Sequence, residues 1–94
     1  MPSSTSPSIS ITDAHRAHYF GDYARALAIY TRLAQEQGDA VAAEHAGFML
    51  LAARSSYARG VRRDEARAAA LLLQAARAGR PWAQFMLNML DQAD

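Results

Sequence analysis

The chain is predicted to be all-α, with about five helices packed in pairs whose axes lie close together, and three observations carry that expectation. From Thr12 onward, apolar residues recur at the spacing of about 3.6 that marks helices and not at strand alternation. Gly, Asp and Pro interrupt the pattern where helices start and stop. Alanine makes up roughly a quarter of the residues; it is the strongest helix former and is small enough to let neighbouring helices approach closely.

The first helix is expected over about Thr12 to Phe20, with Thr12 or Asp13 satisfying its free amide groups and Gly21 ending it. Asp22 then caps a second helix, Tyr23 to Gln37. Its inward face is Ala26, Leu27, Ile29, Tyr30, Leu33 and Ala34, while Arg25, Arg32, Gln35 and Glu36 lie elsewhere. Gly38 stops it and Asp39 caps the third helix, which begins near Ala40 and carries Ala43, Ala46, Gly47, Leu50, Leu51 and Ala53. Gly47 costs such a helix about 1 kcal/mol relative to Ala unless a neighbouring helix needs the space, so a close helix contact is expected there. This helix ends between Ala53 and Ala58, ahead of the firm stop at Gly60. A fourth, Asp64 to Ala78, is expected to turn Ala66, Ala69, Ala70, Leu72, Leu73 and Ala76 inward, with Gly79 ending it. Pro81 opens the fifth, which runs to about Gln92, because a missing N–H is harmless at the first helical position.

At 94 residues, with 51% hydrophobic and 20% charged residues and a net charge of +1, the chain is sized for one domain. That size leaves room for a single core and little for a deep pocket, so no catalytic site is expected. The absence of cysteine excludes thiolate chemistry, zinc-ribbon sites and disulfide frameworks. Residues 1–11 are expected to form a disordered tail and 12–94 one helical domain. Met1 to Ser10 has neither the basic start nor the apolar run of a secretory leader, and a cytoplasmic location is the default expectation.

Charge is distributed unevenly. All ten basic residues are arginine, and seven of them (Arg54, Arg59, Arg62, Arg63, Arg67, Arg77 and Arg80) fall between positions 54 and 80, opposed there only by Asp64 and Glu65. The stretch has two readings: a footprint for phosphate or an acidic protein, or a solvated turn in a chain that uses arginine for every basic residue. Arg59, Arg62 and Arg63 are the best polar contact candidates within it, since binding residues tend to lie on loops.

Laid on itself, the chain repeats. Asp22, Ala26 and Ala34 match Asp64, Ala68 and Ala76 at an offset of 42, and Gly38 and Ala42 match Gly79 and Ala83 at 41. The patterns Gly60-Val61-x-x-Asp64-x-x-Arg67-Ala68, Ala75-Ala76-x-x-Gly79 and Gly79-x-Pro81-x-Ala83-Gln84-Phe85 resemble the Sel-one-like repeat, a branch of the tetratricopeptide superfamily. So do Asp22-Tyr23-x-x-Ala26 with Tyr30, Gly38-Asp39-Ala40-x-Ala42, and Gly47. The resemblance covers about Asp13 to Leu90. It departs from the family at Ala70, Leu71 and Leu72, which stand at aromatic positions, and at Asn88, which stands where the first copy has Gly47. What the resemblance implies is a short right-handed α-α superhelix of about two repeats and a protein-binding scaffold without catalysis.

His15 and His18, three apart on a helix, have the spacing of a two-ligand metal site, but no third ligand is near in sequence, so no metal is expected. His45 with Ser55, Ser56, Glu44 and Asp64 makes a catalytic set only on paper, since no elbow or glycine-rich loop accompanies them. The last helix is more informative. Trp82, Ala83, Phe85, Met86, Leu87, Met89 and Leu90 spread around most of its circumference, whereas a helix at the end of a stack needs a polar outer face.

Trp82, Phe85, Met86 and Met89 are therefore expected to anchor a partner protein or a second copy of the chain, with Arg59, Arg62 and Arg63 meeting acidic neighbours. Tyr19, Phe20 and Tyr23 form a second aromatic cluster, expected in the core. The function expected is an adaptor or chaperone-like interaction module with no catalytic, cofactor or metal site and no membrane association. The alternatives are an immunity or inhibitor protein for a specific enzyme and, as a lesser reading, arginine-mediated nucleic-acid binding.

Overall fold

A computed structural model of the chain describes residues 9–52 and 61–92, and among them every regular element is a helix. In chain order these are α1 (Ile11–Tyr19), α2 (Tyr23–Gln37), α3 (Ala40–Ala52), α4 (Glu65–Arg77) and α5 (Pro81–Gln92). The part of the expected tail over residues 1–8 lies outside the described residues, as does the expected end of α3 between Ala53 and Ala58.

The starts follow from local hydrogen bonding. Ser10, not Thr12 or Asp13, caps α1: its Oγ accepts from the Asp13 N–H while the Asp13 carboxylate accepts from the Ser10 N–H at 3.0 Å. Asp13 thus closes a capping box as the third helical residue, and the helix begins one residue earlier than its spacing predicts. Ile9 and Ile11 consequently pack against the core. Asp22, Asp39 and Asp64 each accept a backbone N–H three residues on, from Arg25, Ala42 and Arg67. Gly38 ends α2 in the left-handed region, with φ of 66°, where a β-carbon is disfavoured.

Each helix packs most extensively on its neighbours in sequence, and α3 with α4 is the largest pairing. Those two run antiparallel: the Asp64 N–H donates to the Leu50 carbonyl, Ala68 and Leu72 lie against Gly47, and Arg80 reaches Glu44. Gly47 is the close contact its sequence position implies. A β-carbon there would stand 2.7 Å from Cγ of Leu72 and 3.3 Å from the Ala68 carbonyl oxygen.

The side chain of Gln74 on α4 donates to the Ala34 carbonyl on α2 at 2.8 Å, so the even-numbered helices meet on one side of the molecule. Residues of α1, α3 and α5 contribute to one groove. Tyr30, Leu50 and Leu72 are the largest fully buried side chains of the core. The central helix α3 is apolar around nearly its whole circumference, as suits a helix covered on several sides.

Two expectations about burial are corrected. The inward face of α4 is Ala68, Leu71, Leu72 and Ala75, with Ala69 and Ala76 half-buried and Ala66, Ala70 and Leu73 exposed. With Ala and Leu on every side of that helix, spacing alone does not fix its rotation; the fit of Ala68 and Leu72 onto Gly47 does. The second correction concerns the aromatic cluster. Tyr19 is 83% and Phe20 74% exposed, and only Tyr23 is half-buried. The face α1 buries is made by Ala14 and Ala17; Tyr19 lies about 200° around the helix from Ala17 and Phe20 sits past the last turn. No helix among the described residues is long and apolar enough to cross a membrane.

Candidate functional site

The groove between the odd-numbered helices encloses about 300 Å³ and is lined by His18 of α1, Glu44, His45 and Phe48 of α3, and Trp82 of α5. The two larger aromatic side chains meet edge to face, ring centroids 5.6 Å apart, and both keep exposed surface toward solvent. Half-exposed aromatics at this distance present ring faces and edges to anything entering the groove.

Glu44 is the one buried charged residue among those described, at 8% exposure. Nε and Nη2 of Arg80 both donate to its Oε1, at 3.2 and 2.7 Å, and Oε2 is buried with no donor. The bond to Glu44 raises the Arg80 pKa further above its ordinary value, so the pair stays ionic on the arginine side. A buried acceptor without a donor costs about 1–3 kcal/mol, and more when charged. Half of this carboxylate is therefore satisfied from within the fold, and half is not.

Behind the groove His15, Tyr30 and His45 form a cluster that joins α1, α2 and α3. The ring of His45 stacks on Tyr30 at 4.9 Å, His15 meets it edge-on at 5.1 Å, and Nδ1 of His15 lies 2.5 Å from the Tyr30 hydroxyl. Which of that last pair donates follows the imidazole tautomer. Burial lowers the His45 pKa from its ordinary value and the neighbouring His15 adds to the effect, while burial raises that of Tyr30. Both groups are thereby favoured in their neutral forms.

The structure separates the two metal-spaced histidines, His15 toward Tyr30 and His18 onto the ring of Tyr23. Among the described residues no three ligand-type side chains gather as a metal site would require. Of the paper catalytic set, Ser55 and Ser56 lie outside the described residues, Asp64 caps α4, and Glu44 is held by Arg80.

The expected anchors divide. Trp82 walls the groove, and Phe85 and Met89, 56% and 52% exposed, continue from it along one stripe of α5, whereas Met86 is half-buried against the core. Arg59 lies outside the described residues and Arg62 is exposed. The guanidinium of Arg63 braces the chain: Nη1 donates to the Leu51 carbonyl near the end of α3, and Nε and Nη2 donate to Glu65.

Of the groove's residues the sequence marks only Trp82 as a partner anchor; His18, Glu44 and His45 stand out there only as paper metal or catalytic candidates, and Phe48 not at all. One signal was present: Glu44 is the lone carboxylate in the apolar run from Ala40 to Ala52.

These features define an all-helical protein whose odd-helix face carries a groove with aromatic walls and a buried carboxylate. No family model matches the chain, and no curated protein or solved structure matches it significantly.

Proposed function

We propose that the chain is a non-catalytic protein-interaction module, cytoplasmic and built as about two tetratricopeptide-like repeats of the Sel-one-like kind. It binds a partner protein, or a second copy of itself, through the odd-helix groove and the α5 stripe beside it. The observation that carries this reading is the apolar surface on that side: Phe48, Trp82, Phe85 and Met89 are all at least two-fifths exposed. Aromatic residues and methionine concentrate at the centres of protein interfaces, and exposed apolar clusters mark such surfaces. The packing of each helix on its neighbours in sequence, antiparallel for α3 and α4, supports the repeat architecture. Arg63 and Arg80 are engaged with Glu65 and Glu44, which leaves fewer free cations for the nucleic-acid alternative.

A photo-crosslinking amino acid placed at Phe85 tests the proposal, with one at Arg32 on α2 as the control. The expected result is a discrete crosslink from position 85, to a second copy or to another protein, that Trp82→Ala abolishes. Crosslinking from position 85 that matches the control and ignores Trp82→Ala would overturn it. Light scattering across a concentration series then separates self-association from binding to another chain.

A further inference from the structure

We propose that the odd-helix groove is a receptor for a single cationic side chain, lysine or arginine, presented by the partner segment. Its aliphatic stem lies between Phe48 and Trp82 and its charged head reaches Glu44. This rests on the interaction reading above and names the chemistry that the groove selects.

Three observations point to a cation. Among the described residues the carboxylate is the only acidic group lining the groove, and its Oε2 is buried without a donor although Oε1 has two. Oε2 is covered in the unliganded groove, so a ligand's donor meets it once the Glu44 side chain turns toward the groove it lines, and a charged donor does so more strongly than a neutral one. Phe48 and Trp82 stand beside it with ring surface exposed, the setting in which methylene stems pack and ammonium or guanidinium groups are attracted to ring faces. Finally, His45 is biased toward its neutral form by burial, so it does not repel a cation at neutral pH. Arg80 already balances the carboxylate's charge, and its side chain is two-fifths exposed, which lets solvent screen it from the newcomer.

The single tryptophan of the chain makes the test direct, because its indole N–H gives one resolved NMR signal in the wall of the groove. Capped pentapeptides with a central lysine, Nε-acetyl-lysine or norleucine, otherwise alanine, are titrated into the full chain. The lysine peptide is expected to move the Trp82 indole signal saturably, and the acetyl-lysine and norleucine peptides to bind at least tenfold more weakly. Glu44→Gln is expected to remove that preference while keeping the native spectrum. Phe48→Ala, at a half-exposed position, weakens the lysine peptide without touching the carboxylate and covers the case in which Glu44→Gln unfolds the chain.

Equal binding of all three peptides would overturn the cation assignment while leaving the groove as a docking surface. No saturable shift with any of them would overturn the assignment too. The crosslinking at Phe85 reads the broader proposal independently in either case.

Discussion

Gly47 and Leu72 are packed so closely that a β-carbon added at Gly47 would meet Cγ of Leu72 at 2.7 Å and Cδ2 at 2.9 Å. Leu72 is fully buried, and the Ala68 carbonyl closes the same space, so neither neighbour has room to give way. Gly47→Ala is therefore expected to destabilise the fold. Overpacking costs about 1–3 kcal/mol, against a gain of about 1 kcal/mol in helix propensity. Urea unfolding should show a lower midpoint with an unchanged slope. In a Leu72→Ala background, where only the 3.3 Å approach to the Ala68 carbonyl oxygen remains, the same substitution should cost less than in the parent. A stabilised Gly47→Ala single variant would mean that α3 and α4 are not held at this distance.

That contact also marks where sequence reasoning succeeds and where it stops. A glycine inside an apolar helix, bounded by good capping residues, has few explanations other than close packing, so its role was legible. The limits of α2 were equally plain, since Asp22 and Gly38 are strong punctuation with single physical roles. The rotation of α4 was not legible. Ala66, Ala69 and Ala70 are as apolar as Ala68 and Ala75, and only tertiary contact chooses among them. The groove was less legible still, because it is assembled from side chains on three helices as far apart in sequence as His18 and Trp82. Trp82 was expected as an anchor on apolarity alone; Glu44 and Phe48 acquire their meaning only from being beside it.

The exposure of Tyr19 and Phe20 gives a second test. Their rings contact each other edge-on at 5.1 Å, and both stand clear of the core. The double substitution Tyr19→Ser with Phe20→Ser should leave thermal stability within about 0.5 kcal/mol of the parent, as surface changes usually do. A loss of several kcal/mol by calorimetry would place these rings in a core and contradict their exposure.

Tyr30→Phe removes one hydroxyl from the centre of the molecule and leaves the ring that stacks on His45. The loss of its hydrogen bond to Nδ1 of His15 should cost about 0.5–1.5 kcal/mol in urea unfolding. His15→Phe should cost a comparable amount, and the double variant should cost less than the sum, because the two changes delete one interaction. Full additivity would show that the 2.5 Å contact contributes nothing to stability.

The same cluster makes stability depend on pH in a predictable direction. His45 faces His15 and His18 from α1, Tyr30 from α2, Glu44 on its own helix, and Arg80 beyond α4; burial lowers its pKa, and of the charged neighbours only Glu44 opposes that. A histidine whose folded pKa lies below the ordinary 6.5 binds fewer protons in the folded state than in the unfolded state. Its contribution is therefore complete above that ordinary value and is lost as the pH falls from there through the depressed folded pKa. Unfolding midpoints measured between neutral and mildly acidic pH, above the carboxylate range, should fall with acidification. His45→Gln should flatten that slope, whereas His18→Gln, a lesser influence on His45, should leave most of it. A slope unchanged by His45→Gln would locate the acid sensitivity in another group. A midpoint that rises on acidification would mean that the imidazole is stabilised in its charged form, opposite to what its burial beside His15 requires.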